Sequence, residues 1–210
     1  AIAYESGLTL TNDQKAAVVA IIFYKGTVCS NDSRTRMLGL GIKNSGTTKY
    51  EWALQNKKCY TQKLTDILIS KDESAPTDGT PYCEYTSTSG TTSYLSGDMD
   101  GSDNWQIIKN IATDEGETSS LAENYPVFNY ANTYASTANL TGTDYSSGWY
   151  IPSLIELYQV HKKWSQLNSI LSLVGGDDLG ENRYYWSSSQ YVNGNNAEYD
   201  YWSWSLVIKG

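Results

Sequence analysis

The chain has 210 residues and 40% hydrophobic content, and its apolar load rests on 18 Tyr and 7 Trp, with only 2 Phe. Its formal net charge of −8 and sequence pI near 4.6 have the wrong sign for phosphate or sulfate. They argue against non-specific nucleic-acid binding and a basic membrane-surface mode, and no stretch approaches the roughly 20 apolar residues of a membrane span. This length suits one large domain, or one domain with a modest extension.

Thr11-x-x-Gln14 has the capping-box pattern, which permits a helix. The β-branched run Val18 to Tyr24, closed by Lys25-Gly26, favours a buried strand instead. Met37 to Ile42 reads as a second strand and Tyr50 to Leu54 as a candidate third, with turn signals such as Asn44-Ser45-Gly46 between them. From Ser70 to Ser96 the chain is rich in Ser, Thr, Gly and Pro, which predicts long surface loops or a hairpin. Asp98 to Asn104 invites a calcium reading. An EF-hand loop needs Gly at its sixth position and Glu at its twelfth, whereas Gly101 falls fourth and Lys109 twelfth. A tight turn in which Asp103 or Asn104 caps a helix over Trp105 to Ala112 is the preferred reading.

Pro126 suits the first position of a helix whose face carries Val127, Tyr130, Ala131 and Tyr134. The most specific local signal follows. Gly148 opens a short apolar run, Trp149 to Ile151, long enough for one buried strand, and Pro152 ends it for want of an N–H. Ser153 and Glu156 then form a capping box, with Pro152 and Leu157 placed to staple the corner. The helix they open runs to about Trp164, with Leu154, Leu157, Tyr158, His161 and Trp164 as its apolar stripe. A second helical run, Leu167 to Val174, stops at Gly175-Gly176. Tyr184 to Ser189 and Trp202 to Ile208 read as strands, with the polar stretch Gln190 to Tyr201 between them. There is no internal repeat of fixed period.

Catalytic and metal signals are thin. Cys29, Cys59 and Cys83 show no Cys-x-x-Cys spacing, and the single His161 does not complete a usual zinc set, so no metal or cofactor is expected. One disulfide with an odd thiol and no disulfide at all both fit the count. His161 is read as a packed, hydrogen-bonded residue at the core edge, and Glu156 as a capping carboxylate rather than a general base. Gln190 to Ser205 is dense in Tyr, Asn, Asp, Ser and Gly, the palette of antibody loops. On composition alone an ordinary polar loop is the stronger reading.

Taken together, Gly148-Trp149-Tyr150-Ile151-Pro152-Ser153-x-x-Glu156-Leu157, Gly175-Gly176 and Tyr185-Trp186-Ser187-Ser188-Ser189 resemble a C-type-lectin-like family that includes the formylglycine-generating-enzyme fold. Asp100-Gly101-Ser102-Asp103-Asn104, Asn124-Tyr125-Pro126 and Leu140 to Tyr145 fit the same pattern, so the resemblance runs from about Val18 onward. Within that family the chain is most similar to the variable proteins of diversity-generating retroelements, of the treponemal surface-protein type. The resemblance implies an α+β fold with short, twisted, mostly antiparallel strands, two main helices and long ordered loops. It implies a single domain over residues 1–210, with strands and loops at about 1–97 bracing a lectin-like core at about 98–210.

In function, the resemblance implies a non-enzymatic extracellular receptor or adhesin for a protein or cell-surface ligand, with a lipid anchor allowed through an N-terminal segment upstream of this numbering. Its solvent-facing site spans Gln190 to Ser205, and Tyr191, Asn193, Asn195, Asn196, Tyr199, Asp200, Tyr201 and Ser203 are its variable positions. Adenine mutagenesis of AAC-type codons reaches such residues but not Trp or Glu. Trp149, Pro152, Ser153, Glu156 and Trp186 are then fixed scaffold, as are Glu198, Trp202 and Trp204. One departure is that relatives run on into a closing strand bearing Cys and Arg, which this sequence lacks before Gly210. Two alternatives are a formylglycine-generating-type oxidase, whose cysteines do not map onto Cys29, Cys59 or Cys83, and a calcium-dependent adhesin of fixed specificity. The Trp-Asn-Asp motif of calcium-dependent sugar binding is absent.

Overall fold

The structure, a computed structural model, describes all residues except 1, 2, 47, 55, 56, 58, 60–62, 88, 115, 117–120, 182, 192–202, 209 and 210. Both elements of the N-terminal run form, in succession, although the strand is half-buried, with Ile22 52% exposed. The Thr11 hydroxyl accepts from Gln14 N–H and the Gln14 side chain accepts from Thr11 N–H, capping the short helix α1 (Asn12–Ala16). The β-branched residues then form β1 (Ala20–Gly26), which pairs antiparallel with β2 (Arg36–Gly41).

A second sheet takes strands from both halves of the chain. Its members are β3 (Leu68–Asp72), β4 (Tyr82–Thr86), β5 (Thr92–Gly97), β6 (Arg183–Tyr191) and β7 (Ser203–Ile208), in the order β4-β5-β3-β6-β7. The Ser/Thr/Gly-rich stretch is thus a hairpin, β4–β5, added to β3. All pairs are antiparallel except β3 with β6, which run parallel through Leu68↔Gln190 and Ile69↔Tyr191. The architecture is α+β, with short and mostly antiparallel strands.

Among the described residues three helices reach nine residues or more, not two: α2 (Asn104–Asp114), α6 (Leu154–Lys162) and α7 (Trp164–Val174). Short helices α3 (Leu121–Asn124), α4 (Pro126–Asn132) and α5 (Tyr134–Thr137) lie between them, with Pro126 at the start of α4 as expected. The helix expected over Leu154 to Trp164 breaks at Lys163, so Trp164 starts α7. That second helix ends at Gly175 in the left-handed region (φ +71°), and Gly176 N–H reaches back to Leu171 C=O at 2.8 Å.

Two expected strands are not strands. The backbone of Tyr50 to Leu54 is engaged elsewhere: Leu54 N–H donates to Asn124 C=O and Val127 N–H to Glu51 C=O, while Trp52 and Ala53 are buried. Trp149 to Ile151 joins no ladder. Its side chains are tied locally, with Trp149 Nε1 donating to Tyr145 C=O and Tyr150 OH to Glu156 Oε1, and Pro152 has no N–H to extend a ladder.

The corner after Pro152 is as capped as the sequence predicts. Ser153 Oγ accepts from Glu156 N–H at 3.3 Å, and Glu156 Oε2 accepts from Ser153 N–H at 2.9 Å. Burial around it is wider than one stripe, since every residue from Leu154 to Val160 is buried, Glu156 and Gln159 included. Glu156 does more than cap. Its Oε1 accepts from Arg36 Nη1 at 2.7 Å and from Tyr150 OH at 2.9 Å, and its Oε2 also accepts from Gly101 N–H at 3.1 Å. A Cβ on Gly101 would lie 2.3 Å from the Ser153 nitrogen and 2.7 Å from the Pro152 carbonyl carbon, so this approach requires glycine.

Ser153→Ala should cost about 1 kcal/mol, the worth of an N-cap. Glu156→Ala should cost roughly 3 kcal/mol, since it also leaves the half-buried Arg36 guanidinium with Asp100 as its remaining carboxylate partner. Urea denaturation of the two variants measures both, and equal losses would mean that Glu156 acts only as a cap.

Candidate functional site

The last two strands flank the candidate site, and their pairing is irregular. Trp186 pairs with Ser205 and Gln190 with Ser203, so the backbone of Ser187 to Ser189 stands opposite Trp204 alone. Such a bulge bends the strand and turns the extra residues out of the ladder. Here they turn inward, and Ser187, Ser188, Ser189 and Gln190 are all 0% exposed.

Buried polar groups need partners, and each of the four has one. Trp52 Nε1 donates to Ser187 C=O at 2.9 Å. Ser188 N–H donates to Pro152 C=O at 2.7 Å, and Asn104 Nδ2 donates to Ser188 Oγ at 2.8 Å. Leu154 N–H, in the first turn of α6, donates to Ser189 Oγ at 3.0 Å. Gln190 Oε1 accepts from Leu64 N–H at 2.7 Å and Gln190 Nε2 donates to Cys59 C=O at 2.9 Å. Gln190 therefore belongs to the frame. The sequence placed it in the solvent-facing segment, and no local signal distinguishes it there.

Of the expected variable positions, Tyr191 pairs through its backbone with Ile69 and Ser203 with Gln190. They are the described residues that flank positions 192–202. Asn193, Asn195, Asn196, Tyr199, Asp200 and Tyr201 lie outside the described residues, as do Glu198 and Trp202. Of the scaffold residues, Ser153 and Glu156 are buried, while Trp149 and Pro152 are half-buried, with the Trp149 ring 4.5 Å from that of Tyr134. Trp186 is 36% exposed and its Nε1 donates to Tyr50 C=O at 2.7 Å.

A feature the sequence reading missed is the outer face of β6. Tyr184 is 74% exposed and shares a face with Trp186, two residues on. Tyr50, tied to Trp186 through its carbonyl, stacks on Tyr130 at 5.0 Å. Alternation in Tyr184-Tyr185-Trp186 was the available signal, since Tyr185 packs inward against the core.

The acidic turn before α2 is engaged by the protein itself. Asp98 Oδ1 accepts from Asn31 Nδ2 and from Asp100 N–H, and Asp98 Oδ2 accepts from Asn104 Nδ2. Asp100 accepts from Ser102 N–H and pairs with Arg34 and Arg36. Asn104 does not cap its helix, because its Oδ1 is buried without a partner and its amide nitrogen bridges Asp98 and Ser188. No group of three or more His, Cys, Asp or Glu suited to a metal occurs among the described residues.

None of the three cysteines forms a disulfide, and all three are buried. Burial pushes the Cys29 thiol up to about 12 and raises Cys83 as well, the direction opposite to nucleophile activation. His161 lies at the core edge with its ring 5.9 Å from that of Tyr158. Its expected hydrogen bond is absent at Nδ1, and burial lowers its pKa.

Comparison with protein-family models, curated proteins and solved structures gives no match for this chain.

The turn carries a pH signature. Burial raises the Asp98 carboxyl to about 6, against roughly 3.9 for an unfolded Asp. The folded state then holds that proton more tightly. The stability this contributes is fully present below about pH 4 and is lost as pH rises through about 6. Thermal melts across that window should show a flatter profile for Asp98→Asn than for the parent, and an identical slope would mean that Asp98 does not titrate there.

Proposed function

We propose that this chain is a non-enzymatic ligand-binding protein of C-type-lectin-like fold, displayed outside the cell, in which the segment from Tyr191 to Ser203 forms a variable surface for a protein or cell-surface ligand. The observation that carries the reading is the Gln190↔Ser203 pair beside a fully buried, fully partnered Ser187–Gln190 run. A segment whose flanking residues are held by backbone pairing beside a buried frame can change its side chains at little cost to the fold. Its Tyr, Asn, Asp, Ser and Gly content supplies rigid aromatic anchors and adaptable hydrogen bonds. The exposed Tyr184 and Trp186 sit on the strand that leads into it and add a constant aromatic surface.

Other observations weigh against the two alternatives. An oxidase of the formylglycine-generating type needs an activated thiol, and burial raises Cys29 and Cys83 away from that state. A calcium-dependent adhesin needs open carboxylates, and Asp98 and Asp100 face amides and arginines.

Randomising Tyr191, Asn193, Asn195, Asn196, Tyr199, Asp200, Tyr201 and Ser203 together in a displayed library tests the binding surface. Most members should melt within about 3 °C of the parent, roughly 1 kcal/mol for a domain of this size, and selection should yield binders to unrelated protein targets. General unfolding of the library, or failure to select any binder, would overturn the reading. Thiol labelling of the native chain tests its non-enzymatic part. All three cysteines should stay protected until denaturant is added, and one fast-reacting cysteine would restore the oxidase.

A further inference from the structure

Beside the root of the Tyr191–Ser203 segment lies a cavity of about 310 Å³, between the turn Thr65–Ile67 and α2. Its apolar wall is Leu64, Ile107 and Ile111, the last two one helical turn apart on α2. Asp66 and Asp114 add two carboxylates and Lys63 one ammonium, and no ion pair engages these three among the described residues. Thr65 Oγ1 donates to Asp66 Oδ1 at 3.4 Å. The cavity is tied to the frame one residue before the segment, because Leu64 N–H donates to Gln190 Oε1 at 2.7 Å.

We infer that this cavity is a fixed subsite for a basic side chain, arginine or lysine, of a protein ligand held by the segment beside it. The inference rests on the proposed binding role and names the class of group that the constant part of the surface takes. Arginine and lysine carry an aliphatic stem that lies along apolar surface while the charged head stays in polar surroundings. Leu64, Ile107 and Ile111 fit the stem, and the two carboxylates fit the head, with guanidinium favoured for its paired donors. Two acids against one lysine leave the cavity negative, in a chain of net charge −8. That balance disfavours an anionic occupant and draws in a cationic one.

The test uses the parent chain with its isoleucine methyls isotopically labelled and Nα-acetyl-arginine methylamide as the probe. The Ile107 and Ile111 methyl signals should shift saturably, with a dissociation constant on the order of 1 mM for so small a probe. Nα-acetyl-norleucine methylamide, which has the stem without the charge, should give no saturable shift. Asp66→Asn combined with Asp114→Asn should weaken the arginine probe at least about tenfold, from loss of the charge-assisted bonds, and leave the other methyl signals in place. Equal response to the norleucine probe, unchanged affinity in the double variant, or no response to the arginine probe at about ten times the expected constant would each overturn the subsite. The probe needs no variation at residues 191–203. Binders from the library with a silent probe would sink the subsite alone, and a responsive probe with a barren library would sink the binding role alone.

Discussion

The carboxylate of Glu156 is the point on which the fold turns. It is 1% exposed and accepts from Arg36, Tyr150, Gly101 N–H and Ser153 N–H, so both oxygens are filled. Burial pushes the carboxyl up to about 7 while Arg36 pulls it back, the balance expected of a charge whose desolvation is offset only by close partners. Those partners come from β2, from the turn before α2 and from the corner before α6. Arg36 also donates to Cys29 C=O at 2.8 Å and pairs with Asp100, which holds the β1–β2 connection to the same centre. Shifting any one of these segments would leave a buried charge or a buried amide without a partner, so the polar centre fixes a single docking arrangement.

A second set of polar contacts links that centre to β6. The first turn of a helix has N–H groups with no intrahelical acceptor. In α6 the Leu154 N–H finds Ser189 Oγ, and in return Ser188 N–H finds Pro152 C=O. Bulged strand and helix start thus satisfy each other. Serine is suited to this position because the hydroxyl is small enough for a close backbone approach and both donates and accepts. Asn104 then ties the same run to α2. The run that supports the proposed binding segment is therefore anchored to two of the three long helices.

What the sequence made legible was short-range. The Ser153/Glu156 box, Pro126 at the start of α4 and Gly175 at the end of α7 each depend on residues within a turn of one another, and each stands where expected. What it did not make legible depends on distant partners. Arg36 and Glu156 are 120 residues apart, and nothing local marks either as half of an ion pair. Gln190 reads as surface because it is polar, but its burial is set by Leu64 and Cys59, 126 and 131 residues away. The apolar run Trp149 to Ile151 has the composition of a strand, but a ladder needs a neighbour and its side chains are engaged locally. As for the candidate site, the resemblance points to the segment, and the structure adds the pairing of its flanking residues, Tyr191 and Ser203, beside the frame.

The contacts that hold Ser187 to Gln190 share one property that matters for the proposed role. Among the described residues their side-chain and cross-strand partners include Trp52, Cys59, Leu64, Asn104, Pro152 and Leu154, which lie outside residues 191–203. The segment's ends are held by backbone pairing, Tyr191 with Ile69 and Ser203 with Gln190, and such pairing is indifferent to the side chains present. On that reading the two demands on a variable receptor fall on different residues. Stability falls on buried polar groups that tolerate little change, and recognition falls on the stretch that follows them. An exposed site built on the buried cluster itself would couple the two, because each change of specificity would risk an unpaired charge.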